Sequence, residues 1–217
     1  MKKLLRKFKD SSFVAHISFL WHWKNFLFLR KYPFWKCYNK WTGKFIGYAY
    51  SDYNLICDGW RIAFGEQLSE EIKQAGKASR KRLGKHVSWK KLLQWQQIKE
   101  KWGTLRMYAS CTEEIQHVIE KYEYMSYGYC INCGKPARYR TEGWVSYQCE
   151  DCFANDLSHY VEGDEKTRVL NECRLKVKDL PHGTNYTTNK NGKMIAHKIN
   201  YKKIYGVDLR KLWGLDK

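Results

Sequence analysis

The sequence lacks an uninterrupted apolar run long enough to cross a membrane. The one candidate span begins with Phe13 to Leu20, but His16, His22 and Lys24 interrupt it well before the roughly 18 to 20 apolar residues that a transmembrane helix needs. The basic start MKKLLRKFK is not followed by the small-residue cleavage site of a secretory signal. We therefore expect no integral membrane insertion and a cytosolic location.

Familiar catalytic signatures are also absent. The sequence has no GxxxxGK[ST], no GxGxxG after a strand, no GxSxG and no HExxH, so nucleotide hydrolysis, Rossmann cofactors and the common hydrolase mechanisms have no support. Lys99, Glu100, Lys101 and Arg106 cluster around Trp102, but charges at a hairpin usually form a solvated edge. We predict that the protein is not an enzyme.

Acidic residues are few relative to basic ones. The chain has 22 Asp and Glu against 40 Lys and Arg, a formal net charge of +18, and such a field attracts phosphate polymers and anionic surfaces. The excess lies at the two ends, because the segments up to Tyr48 and from Leu180 onward carry most of it. An alternative is that an AT-rich genome simply encodes much lysine, in which case the charge has no specific role.

The remaining composition indicates a folded chain. A 43% hydrophobic and 16% aromatic content is typical of a globular protein, and 217 residues suffice for one core with a small appended module. We predict an α+β fold: a small helix–hairpin–helix core followed by a four-cysteine zinc ribbon, with a basic aromatic N-terminal arm and a basic C-terminal hairpin and tail. The predicted units are 1–54 (arm and short strands), 55–128 (core), 129–156 (ribbon), and 157–217 (linker helix, hairpin and tail).

Periodicity and turn residues place the elements of the core. A helix should begin with Asp58 as N-cap and stop at Gly76, followed by a mobile basic loop up to Ser88. Two strands within 93–108 should be joined by residues 99–103 as a hairpin. A capping box of Ser110 and Glu113 should open a second helix that ends before Gly128. Its apolar face should consist of Ile115, Val118, Ile119, Tyr122 and Met125.

Outside the core, the patterns predict shorter elements. A helical arm should end at about Tyr32 because Pro33 follows, and short extended segments should occupy 35–53. A charged linker helix is expected within 162–178. Asn191-Gly192 should form a type I′ turn of a second hairpin, and Asp208 should begin a short terminal helix.

Four cysteines carry the strongest motif. Cys130 and Cys133 form one CxxC pair, and Cys149 and Cys152 form a second pair fifteen residues later. Each pair can place two thiolates on a tight turn, so that four sulfurs surround one Zn²⁺. Two disulfides are disfavoured in a cytosolic protein, and a redox CxxC would need a βαβ context. We predict one structural zinc ion, because a closed four-sulfur site leaves no position for substrate.

Three segments together resemble a group of uncharacterised phage and bacterial proteins. Those proteins share a GW…FG helix start, a segment close to IKEKFGTLRFY and a C-terminal double CxxC. The corresponding features are Asp58-Gly59-Trp60 with Phe64-Gly65, the segment IKEKWGTLRMY at 98–108, and the four cysteines. The likeness covers about residues 55 to 155. It implies the architecture and a phage-like origin, and it implies no activity.

Basic and aromatic residues alternate in the N-terminal arm and in the ribbon. Cations can neutralise phosphates while rings stack on exposed bases, which favours binding of DNA or RNA without strong sequence readout. The alternative for the tryptophans is that they fill the core. The residues that we predict to contact nucleic acid are Lys2, Lys3, Arg6, Lys7, Lys9, Arg30, Lys31, Lys36, Arg138 and Arg140.

Two other functions stay open at this stage. Aromatic residues also dominate protein interfaces, so the chain could be an interaction module that docks on a host or phage protein. A metal-dependent nuclease is a remote alternative, suggested by His182, Asn185 and His197 near a hairpin. The comparison is weak, because the helix that such a motif needs does not follow.

Overall fold

The computed structural model describes residues 12–159, 161–188 and 193–215 and has the predicted mixed α+β fold. The helices are α1 (Ser12–Lys31), α2 (Asp58–Trp60), α3 (Glu66–Leu83), α4 (Trp89–Leu92), α5 (Glu113–Met125), α6 (Glu150–Ser158), α7 (Gly163–Cys173), α8 (Tyr201–Tyr205) and α9 (Leu209–Leu212). The strands are β1 (Leu93–Lys101), β2 (Thr104–Cys111), β3 (Tyr139–Arg140), β4 (Tyr147–Gln148), β5 (Thr184–Thr188) and β6 (Met194–Lys198). Consecutive strands pair as three antiparallel hairpins. None of the helices in these ranges has the length and apolar character that a bilayer crossing requires.

Helix α1 ends one residue before Tyr32, as the following proline predicts. Its C-terminal part joins the core: Leu29 is fully buried, and the ring of Phe28 lies 4.8 Å from that of Tyr53. The predicted extended segments after it form two isolated β-bridges, Lys36 with Ser51 and Tyr38 with Phe45. Short 3-10 turns flank them at Pro33–Trp35 and Asp52–Leu55.

A long helical rod replaces the predicted short helix and basic loop. Helix α2, a π-helical segment Arg61–Gly65 and α3 follow one another without a break, so the predicted stop at Gly76 is wrong. Gly76 is buried within α3, where a methyl group would lie 2.3 Å from the ring of Trp89. The glycine therefore serves helix packing, and the rod ends at Gly84, whose φ of 122° suits glycine.

The hairpin β1–β2 is confirmed, with longer strands than predicted. The predicted five-residue connection is wrong, because only Trp102 and Gly103 separate the strands. Their φ values of 55° and 73° are those of a type I′ turn. A register shift between Trp95 and Gln97 bends β1. Ile98, Leu105 and Met107 of the two strands are buried.

Helix α5 covers the buried face of this hairpin. The predicted cap is wrong: Ser110 belongs to β2, and Thr112 precedes the helix. Glu114 in the first turn accepts hydrogen bonds from Ser79 and from the Arg82 guanidinium, which ties α5 to α3. The predicted apolar face is confirmed by the buried residues Ile115, Ile119, Tyr122 and Met125.

One hydrophobic core joins the elements. Its largest fully buried side chains are those of Leu29, Tyr32, Trp35, Ile56, Trp60, Leu68, Ile72, Leu92, Leu105, Ile115, Ile119 and Tyr122. The C-terminal segment packs on it through Leu209 and Trp213, and the indole N–H of Trp213 donates to the Tyr127 carbonyl at 2.9 Å. The division of the chain into four units stays a prediction.

The remaining elements agree with the patterns outside the core. The linker helix is α7, and β5 pairs with β6 as predicted, although the Asn191-Gly192 turn lies outside the described residues. Asp208 caps α9 by accepting a hydrogen bond from the Lys211 N–H at 3.3 Å.

Candidate metal centre

The four cysteines of the two CxxC pairs lie together. Their sulfur atoms are all within 4.8 Å of one another, and the Sγ atoms of Cys133 and Cys149 are 3.5 Å apart. Four sulfurs at about 2.3 Å from a tetrahedral zinc ion would be about 3.8 Å from one another. The predicted cluster is therefore confirmed, and its donor set and spacing fit zinc.

The first pair lies on a tight turn that begins at Cys130. The Cys130 N–H donates to the Lys135 carbonyl at 2.7 Å, and the Gly134 N–H donates back to the Cys130 carbonyl at 3.0 Å. Gly134 has a φ of 76°, a conformation that glycine adopts without strain. This turn thus folds both sulfurs of the pair toward the cluster.

The second pair occupies the start of helix α6, which sequence analysis missed. Cys149 is the N-cap residue, and its carbonyl accepts from the Phe153 N–H at 3.0 Å. The positive end of a helix stabilises thiolates placed there. A signal was available, because Glu150 and Asp151 follow Cys149 and acidic residues favour a first helical turn.

Burial and hydrogen bonding set the proton affinities of the thiols. Burial raises the pKa of Cys149 and of Cys152. Burial also acts to raise the pKa of Cys133, but hydrogen bonds from the Lys135 backbone and the neighbouring thiols outweigh it and lower that pKa. Zinc takes thiolates as ligands, so its binding would release the remaining protons and depend on pH.

The disulfide alternative does not fit the cluster. The 3.5 Å between Cys133 and Cys149 far exceeds a disulfide bond of about 2.05 Å, and every cysteine is a free thiol. The four other cysteines are half-buried, and burial raises the pKa of each; they are Cys37, Cys57, Cys111 and Cys173. A raised pKa disfavours the thiolate, which is the reactive form of cysteine.

Two glycines fix the ribbon on the core. Gly59 at the start of the rod donates its N–H to the Ile131 carbonyl at 3.0 Å, and a methyl group on it would lie 2.2 Å from the Cys130 carbonyl. Gly103 of the β1–β2 turn approaches the Cα of Ser146, where a methyl group would be 3.0 Å away. A side chain at position 59 would displace the first cysteine turn, and one at position 103 would crowd the ribbon backbone just before β4.

The predicted nucleic-acid contacts fall into three sets. Lys2, Lys3, Arg6, Lys7 and Lys9 lie outside the described residues. Arg30 and Lys31 are exposed, and Lys36 is half-buried against the ring of Phe45. On the ribbon, Arg138 and Arg140 are half-buried. Arg138 donates to the carbonyls of Ala137 and Leu212, so it holds the C-terminal segment in place.

The two histidines of the nuclease alternative have separate surroundings. His197 lies in β6, where its Nε2 is 2.8 Å from the Thr187 hydroxyl. His182 lines a cleft with Arg106, Glu123 and several tyrosines. Within the described ranges, the cysteine quartet is the single group of three or more His, Cys, Asp or Glu side chains placed to hold a metal ion.

Sequence analysis also missed a cleft between the tips of two hairpins. Trp102 at the β1–β2 turn and Trp144 between β3 and β4 are 68% and 84% exposed. Together with Lys101, Gly143 and Val145 they line a cleft of about 290 Å³. Each tryptophan stands beside a glycine in a turn, but no local pattern shows that the two turns meet.

The segments that carried the resemblance lie around the zinc ribbon. Asp58-Gly59-Trp60 contacts the first cysteine turn, and the hairpin within 98–108 contacts the second strand of the ribbon. No family model, curated protein or solved structure matches this chain. The four-cysteine cluster is thus the part of the resemblance that geometry supports.

Proposed function

We propose that this chain is a zinc-ribbon protein that holds one structural Zn²⁺ and binds nucleic acid with little sequence specificity. Four sulfur ligands close the metal site, so the metal stabilises the ribbon and performs no catalysis. The proposal includes the phage origin that the resemblance implies and action in the cytoplasm of a bacterial host. The exposed tryptophan cleft carries the proposal, and the surrounding charge supports it.

The cleft suits a flat ring. Trp102 and Trp144 leave most of their indole surface in water, which is unfavourable unless a partner covers it. Unpaired bases stack on aromatic side chains, at about 1 to 3 kcal/mol for each base. The one carboxylate among the lining residues, Glu100, is held by the turn itself, since it accepts from the Gly103 N–H at 2.5 Å.

The backbone at Trp102 supports a role in binding. Its φ of 55° lies in the left-handed region, which costs a bulky residue on the order of 1 kcal/mol or more. Asn or Gly would adopt this turn more easily. A strained tryptophan that is also exposed contributes little to the core, so its strain and exposure together favour contact with another molecule.

The outer face of the β1–β2 hairpin supplies cations beside the cleft. Strand alternation places Lys99 and Lys101 of β1 on the same face as Arg106 and Tyr108 of β2, opposite the buried residues. The Lys99 ammonium lies 5.5 Å from the centre of the Tyr108 ring. Neither strand has an acidic residue on this face. The Arg106 guanidinium, however, donates to the Tyr127 hydroxyl at 3.3 Å and lines a cleft with Glu120 and Glu123, so the cations available to a phosphate here are Lys99 and Lys101. The face is therefore complementary to a phosphate backbone that leads to the tryptophan pair.

Charge elsewhere on the chain would extend this surface. The net charge of +18 attracts phosphate polymers without regard to sequence. Arg30 and Lys31 are exposed on α1, and the five N-terminal cations precede them. We assign Arg140 to the same surface because it lies in β3, next to the turn that carries Trp144.

A protein-interaction module docking on a host or phage protein is the second candidate function. It is favoured by Trp41, which is 96% exposed in the loop after α1, since exposed tryptophans are frequent anchors of protein interfaces. Salt distinguishes the two functions. Counterion release makes phosphate binding fall steeply as salt rises, whereas an aromatic protein contact depends on salt much less.

The experiment is a salt titration of binding to a labelled single-stranded oligonucleotide, followed by fluorescence anisotropy. The zinc-loaded native chain is compared with Lys99→Gln/Lys101→Gln. Each phosphate contact contributes about 0.7 to the slope of log K against log salt for single strands, so the variant should lose about 1.4.

A matched control removes the same charge from another place. Lys77 and Lys81 are exposed on α3, and Lys77→Gln/Lys81→Gln should leave the slope unchanged. Equal losses in both variants would show that the hairpin face is not the binding surface. Absence of binding at low salt would leave the protein-interaction function ahead.

A further inference from the structure

A second cavity, remote from the tryptophan cleft in sequence, lies between the loop after α1 and the start of β1. Its volume is about 320 Å³, at the small end of the range for ligand pockets. Phe34, Trp89, Leu93 and Trp95 supply its apolar lining. The space suits one small aromatic ligand.

The aromatic lining is held in place before any ligand binds. The ring of Phe34 lies 4.7 Å from that of Trp89, and the Trp95 indole N–H donates to the Phe34 carbonyl at 2.9 Å. The buried Trp35 stacks on Trp95 at 4.8 Å. A pocket with a rigid lining loses little entropy when a flat ring enters it.

Three lysines line the same cavity. The Lys40 ammonium donates to the Gln96 carbonyl at 2.8 Å, Lys90 lies 4.3 Å from the centre of the Tyr38 ring, and Lys36 lies 5.5 Å from that of Phe45. Among the described residues, none of the three has a carboxylate within salt-bridge distance. Asp52 is the one carboxylate of the lining, so the pocket carries a net positive charge.

Asp52 and Cys37 add a polar pair to this lining. Burial raises the pKa of the Asp52 carboxyl, while the neighbouring Cys37 thiol and the Lys40 ammonium act in the opposite direction. Burial, together with the nearby Asp52 charge, raises the pKa of Cys37 to about 11, so the thiol stays a donor. An ionised carboxylate accepts hydrogen bonds and cannot donate them. The pocket thus offers acceptors at one place and cations at others.

We propose that this cavity binds one nucleotide unit, with its base among the aromatic side chains, its phosphate at the lysines and guanine preferred through Asp52. The cations match the phosphate, and the rings match the base. If the nucleotide belongs to a nucleic-acid strand, the pocket would give the proposed nucleic-acid binding a preference for guanine at one position. In that case the inference rests on the proposed function. A free nucleotide has the same chemistry.

The preference for guanine follows from hydrogen-bond donors. The pairing edge of guanine carries two adjacent N–H groups, which match the two oxygens of one carboxylate. Adenine and cytosine each place a ring acceptor beside their amino group, and that acceptor would face the Asp52 oxygens. A matched pair of hydrogen bonds discriminates between bases by roughly tenfold.

Titration of the full zinc-loaded chain with GMP and with AMP, followed by calorimetry, tests the inference. We expect GMP to bind more tightly than AMP. Lys40→Gln/Lys90→Gln should weaken GMP binding by about tenfold or more, whereas Lys77→Gln/Lys81→Gln, with the same loss of charge on α3, should not. Asp52→Asn should remove the difference between GMP and AMP, and its melting temperature shows whether it folds.

A second experiment distinguishes a nucleotide within a nucleic-acid strand from a free nucleotide as the ligand. If the pocket takes a unit of a strand, an oligothymidine with one guanine should bind more tightly than oligothymidine alone, and free GMP should abolish this difference. If it takes free nucleotide only, GMP binds and the two oligonucleotides bind equally. No GMP binding by the folded chain, or equal loss in both double-lysine variants, would overturn the inference. Oligothymidine binding then still tests the proposed function on its own.

Discussion

At the scale of single residues, the two residues of the β1–β2 turn differ in how much the fold requires them. Gly103 and Trp102 both have positive φ, but only the glycine is required by its surroundings, because the ribbon packs against it. Trp102 is strained, exposed and replaceable as far as the fold is concerned. The two positions therefore predict opposite outcomes of substitution.

Trp102→Asn tests this separation. Asparagine adopts the left-handed conformation more easily than tryptophan, so we expect the free energy of unfolding to rise by about 1 kcal/mol. Loss of the stacking ring should weaken oligonucleotide binding by about 1 to 3 kcal/mol. Chemical denaturation and anisotropy measure the two effects.

Met194→Ala is the control for this variant. Met194 is exposed on β6, away from both hairpin tips in sequence, and its truncation should change neither quantity appreciably. A Trp102→Asn variant that loses stability and keeps its affinity would show that the tryptophan is structural.

At the scale of elements, we expect the ribbon to depend on a bound metal ion. Its strands β3 and β4 have two residues each, too few to support a unit of this size without another source of stability. Zinc binding worth on the order of 10 kcal/mol can supply it. The close contacts at Gly59 and Gly103 then hold the folded ribbon against the core.

Cys130→Ser should abolish stoichiometric zinc binding and unfold the ribbon, because it removes a buried thiolate ligand. Metal analysis should find one zinc per native chain and none in the variant, and limited proteolysis should cut the variant within 129–156. Cys173→Ser, at a half-buried cysteine outside the cluster, should keep its zinc. A native chain without zinc, or a quartet joined by disulfides, would refute the assignment.

The elements that sequence predicted well are those with local causes. Cysteine spacing, the alternation in β1 and β2, and the apolar face of α5 each depend on residues a few positions apart. Gly76 was misread as a helix stop because its real partner, Trp89, lies beyond the end of the helix. The capping box at Ser110 was wrong because pairing with Gln94 keeps that residue in β2.

At the scale of the whole molecule, tryptophans from the same basic and aromatic segment differ in their burial. Trp35 is fully buried against Trp95, whereas Trp41, six residues later, is almost fully exposed. The alternation of basic and aromatic residues did not predict which tryptophan is buried, since burial depends on contacts distant in sequence. The cleft between Trp102 and Trp144 could not be predicted from the sequence either, because it forms only where the ribbon packs against the β1–β2 hairpin.

Charge is the property that sequence alone describes completely. Eleven basic residues and one acidic residue precede Ala49, and they would act on a nucleic acid together with the hairpin face. Because each contact releases counterions, their effects on the salt slope should add. The combined contribution of these cations to binding can therefore be measured as one quantity, the slope of log K against log salt.

The most direct test is the slope of log K against log salt for oligonucleotide binding by the native chain and by a variant in which Lys2, Lys3, Arg6, Lys7 and Lys9 are all glutamine. We predict affinity that is micromolar or weaker at physiological salt, little dependence on sequence and a steep negative slope for the native chain. The variant should bind more weakly, with a slope reduced by up to about 3.5 if all five cations contact phosphate. No binding at low salt, or the same affinity and slope in both proteins, would contradict the proposed function.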